Sequence, residues 1–423
     1  MSTVIARSAV MFRAAPFLGF AGFGAFWGVW GATLPLLRAH AGVSDAEFGV
    51  VLLFVAAGAL PAMLLTGRIV DALGLRVAGV LLALLGVMGV VVSVASVSYA
   101  ALCVGILLAG AGSGASDVAI NTLAATVERR TGRPVVARSH AAFSATVAVS
   151  SLGAGALTGV ADSLLVNFAA GAIVTVALGL AVVAATRSAP AQDTVAPEGQ
   201  DAPTHAGHVS GRIALLVIGA IGALAFASEN AYQSWGAVLL TDEFTASPPL
   251  AAVAPAAFAT TAALARFATA TITLRRPIAA LVGGSVIATT GGVLTTFAPT
   301  LPLALVGIVA AAAGTSVLFP TLLSYGLRPV PDESRGRATS SISTVAYLGY
   351  LAGPAYFGLL ADATGVQKAF LGIAALTAVL LTTIPALSAL KQQRPSAHSR
   401  KIDKGAGGVK DTVRHERGKE IHM

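Results

Sequence analysis

Hydrophobic positions in this chain run on rather than alternate with polar ones. Ala15 to Leu37, Phe48 to Thr66, Val77 to Ala95 and Tyr99 to Val127 are almost uninterrupted apolar or small residues. A helix needs about 20 mostly apolar residues to cross a bilayer, and twelve stretches meet that length. The first six cover roughly 15–37, 47–66, 77–95, 99–127, 139–160 and 164–186. The second six cover roughly 212–240, 248–272, 278–298, 301–327, 339–363 and 367–390. The pattern predicts an all-α integral membrane protein with twelve transmembrane helices. The first run is too long for the core of a cleaved signal and is expected to stay as the first span.

Composition agrees. Of 423 residues, 56% are hydrophobic and 11% charged, against about 25% charged in soluble domains. Mean hydropathy is +0.81. The net charge of +8 has a topological explanation. With the N-terminus inside, nearly all Lys and Arg fall in inside loops, the linker and the tails. The exceptions are Arg38 and Lys368 in outside loops and Arg266 within a span. This is the positive-inside bias, so the basic charge implies no nucleic-acid partner. The single cysteine, Cys103, excludes a disulfide framework. No Walker, zinc-spacing or Ser-His-Asp pattern is visible, so the chain is not expected to be an enzyme or to carry a cofactor or metal.

The two halves align at a constant offset of 200 residues. "LGAGALTGVAD" (152–162) falls on "AGPAYFGLLAD" (352–362), and "GAS" (114–116) on "GTS" (314–316). The expected organisation is therefore two pseudo-symmetric six-helix bundles, 1–186 and 212–390. A Pro- and Gly-containing cytoplasmic linker, 187–211, joins them, and a basic disordered cytoplasmic tail, 391–423, follows. Parallel repeats of this kind suit a transporter whose halves rock.

Polar residues inside the apolar runs are the candidate site, because intramembrane ionisable groups are costly and commonly functional. Asp117 lies about 16 Å before Glu128 along span 4 at 1.5 Å per residue, near the midplane, with Asn121 one turn on. Glu229 lies about 20 Å from Asp242 in span 7, with Gln233 at i + 4 and Trp235 nearby. Span 1 adds Trp27 and Trp30; span 10 adds Thr315, Ser316 and Thr321. Arg266 is expected at the inside end of span 8, snorkelling to the interface, which leaves neither acid with a buried cation. Reversible protonation of Asp117 and Glu229 then offers a basis for proton coupling. Gly110, Gly112 and Gly114 lack the strand a dinucleotide fingerprint needs and are expected to let helices approach closely. His140 is expected to anchor the inside end of span 5.

The segment "GRIVDALGLR" between spans 2 and 3 resembles the signature of the major facilitator superfamily, carried by Gly67, Asp71, Gly74 and Arg76. Ala72 stands where a basic residue is usual, and the second-half counterpart "FATATITLRR" lacks the Gly and the Asp. "GSGASDVAIN", "RSHAAFS" and "YLGYLAGPAYFGLLAD" are similar to a narrower branch of fucose-permease-like proteins and bacterial relatives. The span-4 arginine and span-5 Gly-Pro pair of many drug exporters are missing; the latter reads Gly153-Ala154. The resemblance implies the major facilitator fold in the inner (plasma) membrane, both termini cytoplasmic. It implies secondary transport of a small organic solute by alternating access, with a sugar-like cargo and protons as the coupling ion. Spans 1, 4, 7 and 10 would line the cavity, placing Trp27, Trp30, Asn121, Gln233, Trp235, Thr315 and Thr321 as substrate contacts. Gly67, Asp71, Gly74 and Arg76 would gate the cytoplasmic side. Besides solute and protons, the expected partner is the lipid bilayer. A drug or metabolite efflux antiporter and a non-transporting membrane sensor are the competing readings.

Overall fold

In the computed structural model, residues 2–187, 209–330 and 334–392 are described, with side chains over 10–187, 213–335, 338–385 and 387 save 331–333. Most of the expected linker and nearly all of the expected tail lie outside the described residues. The described residues form helices and no strands. The helices are α1 (Ser2–Ala41), α2 (Asp45–Leu73), α3 (Val77–Ala95), α4 (Tyr99–Thr131), α5 (Val135–Ala161) and α6 (Leu164–Thr186). After the gap come α7 (Val209–Phe244), α8 (Pro248–Ala251), α9 (Val253–Arg275), α10 (Pro277–Thr296), α11 (Leu301–Leu327), α12 (Arg335–Thr364) and α13 (Val366–Gln392). Twelve helical segments are long and apolar enough to span a membrane. The short α8 and α9 together make the eighth span, so α10 to α13 are the ninth to twelfth. The described residues up to Leu381 belong to one compact unit, and those from Thr382 to Gln392 to a second.

Local chemistry sets the helix ends. Ser44 caps α2 in a reciprocal capping box: its Oγ accepts from the Glu47 amide at 3.2 Å, and its own amide donates to the Glu47 carboxylate at 2.9 Å. Ser98 and Ser163 cap α4 and α6 through the amides of Ala101 and Val166. Each satisfies a donor that the first helical turn leaves unpaired. Gly74, with φ of +80°, ends α2 in a conformation L side chains rarely adopt.

Packing repeats between the halves. α1 packs on α5 and α7 on α12; α2 packs on α4 and α9 on α11; α3 packs on α4 and α10 on α11. α3 also packs on α6, while α10 meets α13 through a 2.8 Å bond between the Thr289 and Thr377 hydroxyls. The seams between halves mirror each other: α2 meets α12, and α5 meets α8 and α9. Exposed apolar stripes lie on α3 (Val80, Leu84, Val87), α6 (Ile173, Leu180) and α10 (Val282, Val286, Val293). Exposed apolar rows on backbone-satisfied helices are what a lipid environment requires.

The span-4 glycines act as the sequence suggests. A Cβ at Gly110 would overlap the Val55 backbone of α2, and one at Gly114 would stand 2.8 Å from the Ala59 Cα. Gly112 instead faces Leu85 and Met88 of α3. Without side chains at 110 and 114, α4 and α2 pack backbone to backbone.

Candidate functional site: a recess between the halves and two mid-span acids

One end of the molecule, bearing Arg38, is tightly joined. Arg38, at the end of α1, pairs with Asp45 of α2 and bonds to Asp242 of α7 at 2.5 Å. Phe48 of α2 packs edge-on against Trp235 of α7, ring centroids 5.7 Å apart. A Cβ on Gly49 would lie 3.0 Å from the Gly358 Cα and 2.9 Å from the Pro354 oxygen, so α2 and α12 touch along their backbones. Gly155 of α5 abuts Ala252 and Pro248 in the mirrored seam. At the opposite end, Asp71 and Arg76 are exposed. The Arg76 Nε donates to the Leu73 carbonyl at 3.4 Å rather than to Asp71. Leu64 and Leu73 of α2, and Phe267 and Leu274 of α9, are exposed toward that end.

Between the ends lies a recess of about 320 Å³, lined in part by Trp27, Trp30, Asn230, Ser234, Tyr350 and Pro354. A smaller one, about 170 Å³, adjoins it and is lined by Phe26, Trp27, Trp30, Val55, Gly110 and Ser113. Trp27 stands edge-on to both Phe26 and Trp30. Two of the expected substrate contacts, Trp27 and Trp30, thus face the space between the halves.

Asp117 is half-buried, about 21 Å along α4 from Thr131 and about 27 Å from Tyr99. Its carboxylate accepts from Asn121 Nδ2 at 3.1 Å, and its carbonyl accepts from the same amide at 2.9 Å. Among the described residues no cation pairs with it. The Asn121 Nδ2 is thereby engaged by Asp117.

Glu229 differs. Its side chain is 8% exposed, and its Oε1 accepts from Arg266 Nη2 at 2.8 Å and from Gln233 Nε2 at 3.3 Å. Arg266 also donates from Nε to the Ser316 carbonyl of α11 at 3.0 Å. This corrects the expectation that Arg266 snorkels and that Glu229 lacks a cation. Arg266 lies about 14 Å along α9 from Arg275, and a carboxylate one helix away offers it a closer partner than the interface.

Three further expected contacts are placed away from the cavity wall. Trp235 is fully buried, packed against Phe357 as well as Phe48. Thr315 and Thr321 are buried, their hydroxyls donating to the Ala311 and Val317 carbonyls of their own helix. Asn230 and Ser234 take the place of Trp235: they line the recess one turn apart, Asn230 Nδ2 donating to the Tyr350 carbonyl at 2.6 Å. Both lie in "FASENAYQSWG", where i, i + 4 polar spacing inside an apolar span is the available signal. Tyr350 of α12 lines the recess, and Tyr347 lies one turn before it on the same helix.

Two repeated six-helix halves around a central recess make up the architecture of many secondary transporters. The sequence comparison narrows this: the Major Facilitator Superfamily profile matches residues 17–296 and 215–418, and the chain belongs to that superfamily. It is 27% identical over 377 residues to an uncharacterised transporter of Sinorhizobium fredii, covering 87% of this chain and 96% of the relative. It is 29% identical over 356 residues to an uncharacterised MFS-type transporter of Yersinia pestis, covering 84% and 88%. Among solved structures it is similar to a bacterial homologue of the lysosomal transporter Spinster in an inward-facing, occupied conformation, with TM-score 0.70, 16% identity, and 92% and 99% coverage. It is also similar to a variant of the nucleoside transporter NupG, with TM-score 0.72, 14% identity, and 90% and 99% coverage. A D-xylose–proton symporter matches with TM-score 0.67, 13% identity, and 89% and 97% coverage. At these identities the structural likenesses establish the fold. The chain is a multi-pass membrane transporter and not an enzyme.

Proposed function

We propose that this protein carries a small organic solute across the inner membrane by alternating access, with proton coupling through Asp117. The halves 1–186 and 212–390 rock about the recess, joined by the 187–211 linker, with both termini and the 391–423 tail cytoplasmic. The observation that carries the coupling is the isolation of Asp117: a carboxylate deep in a span, held by one amide and, among the described residues, by no cation. An ionised acid there costs on the order of 2.5–3.5 kcal/mol or more, and a proton removes that cost. Glu229 joins the coupling only when it parts from Arg266.

The closed Arg38 end and the exposed Asp71 and Arg76 support an inward-facing state. In that state the expected gating set, Gly67, Asp71, Gly74 and Arg76, is disengaged. It closes the cytoplasmic side when the halves rock back. The fucose-permease resemblance supports a sugar-like cargo, and the aromatic lining of Phe26, Trp27 and Trp30 favours efflux of a more apolar metabolite as the second reading.

Reconstitution into liposomes with an internal pH dye tests this. A solute gradient drives proton movement in the wild type. Asp117→Asn abolishes that movement while solute binding, read by thermal shift, persists. Full pH-gradient dependence in Asp117→Asn defeats the coupling role, and silence over a broad solute panel defeats transport itself.

A further inference from the structure

Arg266 is a cation deep in the membrane domain whose exposed surface is directed inward. Its side chain is 46% exposed. It nevertheless reaches Glu229 on α7 and Ser316 on α11. A guanidinium bonded to both of those helices points toward them, into the bundle, rather than out to lipid. Of the five N–H donors of a guanidinium, Nε and one on Nη2 are engaged; the rest have no partner among the described residues.

Toward the open Arg76 end, one turn from these contacts, stands a panel of rings. Phe226 is three residues before Glu229 on α7, and Phe319 is three residues after Ser316 on α11. Their centroids are 4.0 Å apart, and Phe226 also meets Tyr347 at 5.3 Å and Tyr350 at 5.9 Å. Along α7 and α11 these rings lie between the contacts of the guanidinium and the Arg76 end. On α5, His140 stands edge-on to Phe20 of α1 at 4.6 Å.

We propose that Arg266 is the cargo-recognising cation and that the cargo is a monoanionic organic carboxylate with an apolar, ring-sized body. The planar fork of arginine matches a carboxylate. Glu229 already neutralises the cation, so a single added negative charge is tolerated where the double charge of a phosphate is not. In this arrangement Glu229 is a competitor that cargo must share or displace. The inference deepens the transporter reading and rests on it for the direction of entry only.

The test uses the full-length protein in detergent, with benzoate and its neutral isostere benzamide as probes in isothermal titration. Wild type binds benzoate about tenfold tighter than benzamide, the scale of one charge-assisted bond. Glu229→Gln tightens benzoate by about tenfold further, because the competing carboxylate is gone. The double variant Arg266→Gln/Glu229→Gln keeps the site neutral, so it folds where a lone Arg266→Gln would strand an acid, and its benzoate-to-benzamide ratio falls to about one. Wild type without a carboxylate preference, or a double variant that keeps one, overturns the proposal. Proton-coupled transport confined to neutral solutes would overturn it while sparing the transporter reading. Arg266-dependent benzoate binding without any flux in liposomes would do the reverse.

Discussion

Asp117 and Glu229 are both mid-span carboxylates, yet they occupy opposite chemical situations. Asp117 on α4 has one amide for company. Glu229 on α7 is tied to a guanidinium and a second amide. The first can lower its cost only by taking a proton; the second is already compensated. The halves therefore repeat their helix packing but not their charges. The position matching Asp117 at the 200-residue offset is Val317, and the one matching Glu229 is Val29. A carrier built from duplicated scaffolds can so divide the labour, one half holding the mobile proton and the other a fixed ion pair.

That contrast can be broken by mutation. The largest effect is expected from Asp117→Asn, which removes solute-driven proton movement altogether, whereas Glu229→Gln leaves the movement pH-dependent; equal loss in both would erase the distinction. Next, Arg266→Gln strands the Glu229 carboxylate and lowers stability by about 2–3 kcal/mol, less than a fully buried pair would lose because Arg266 is half-exposed. The melting temperature in detergent reads this, and pairing it with Glu229→Gln should recover most of the loss. Gly358→Leu intrudes on the Gly49 backbone and disfavours the closed Arg38 end by about 1–3 kcal/mol. Cysteine labelling from that side then rises, and the water reaching Asp117 comes from the other face. The smallest effect belongs to Arg38→Ala, about 1 kcal/mol or less for partly exposed pairs. Its influence on labelling should fade as salt is raised.

Part of this site is readable in the chain. Asp117, Asn121, Glu229 and Gln233 announce themselves as polar residues in apolar runs, and both i, i + 4 pairs bond to each other as their spacing requires. The Glu229–Arg266 pair is not readable, because it joins α7 to α9 and depends on how far each helix is offset along its axis. Trp235, Thr315 and Thr321 illustrate a different limit. Each lies on a helix next to the cavity, and each turns into the packed interior, while Asn230 and Ser234 turn outward to line the recess. A soluble helix reveals its rotation through an apolar stripe opposite a polar one. A membrane helix that is apolar nearly all round carries no such mark.

Twelve crossings and their pairing in repeats follow from the chain alone, since desolvating a backbone in lipid leaves few alternatives to a helix of sufficient length. Which face of each helix looks inward was settled only by contact between helices. Gly110 and Gly114 must meet α2, and Gly49 must meet Gly358. Those backbone-to-backbone approaches rotate the polar residues into place, because a close fit between small surfaces distinguishes one azimuth from another where hydrophobicity does not.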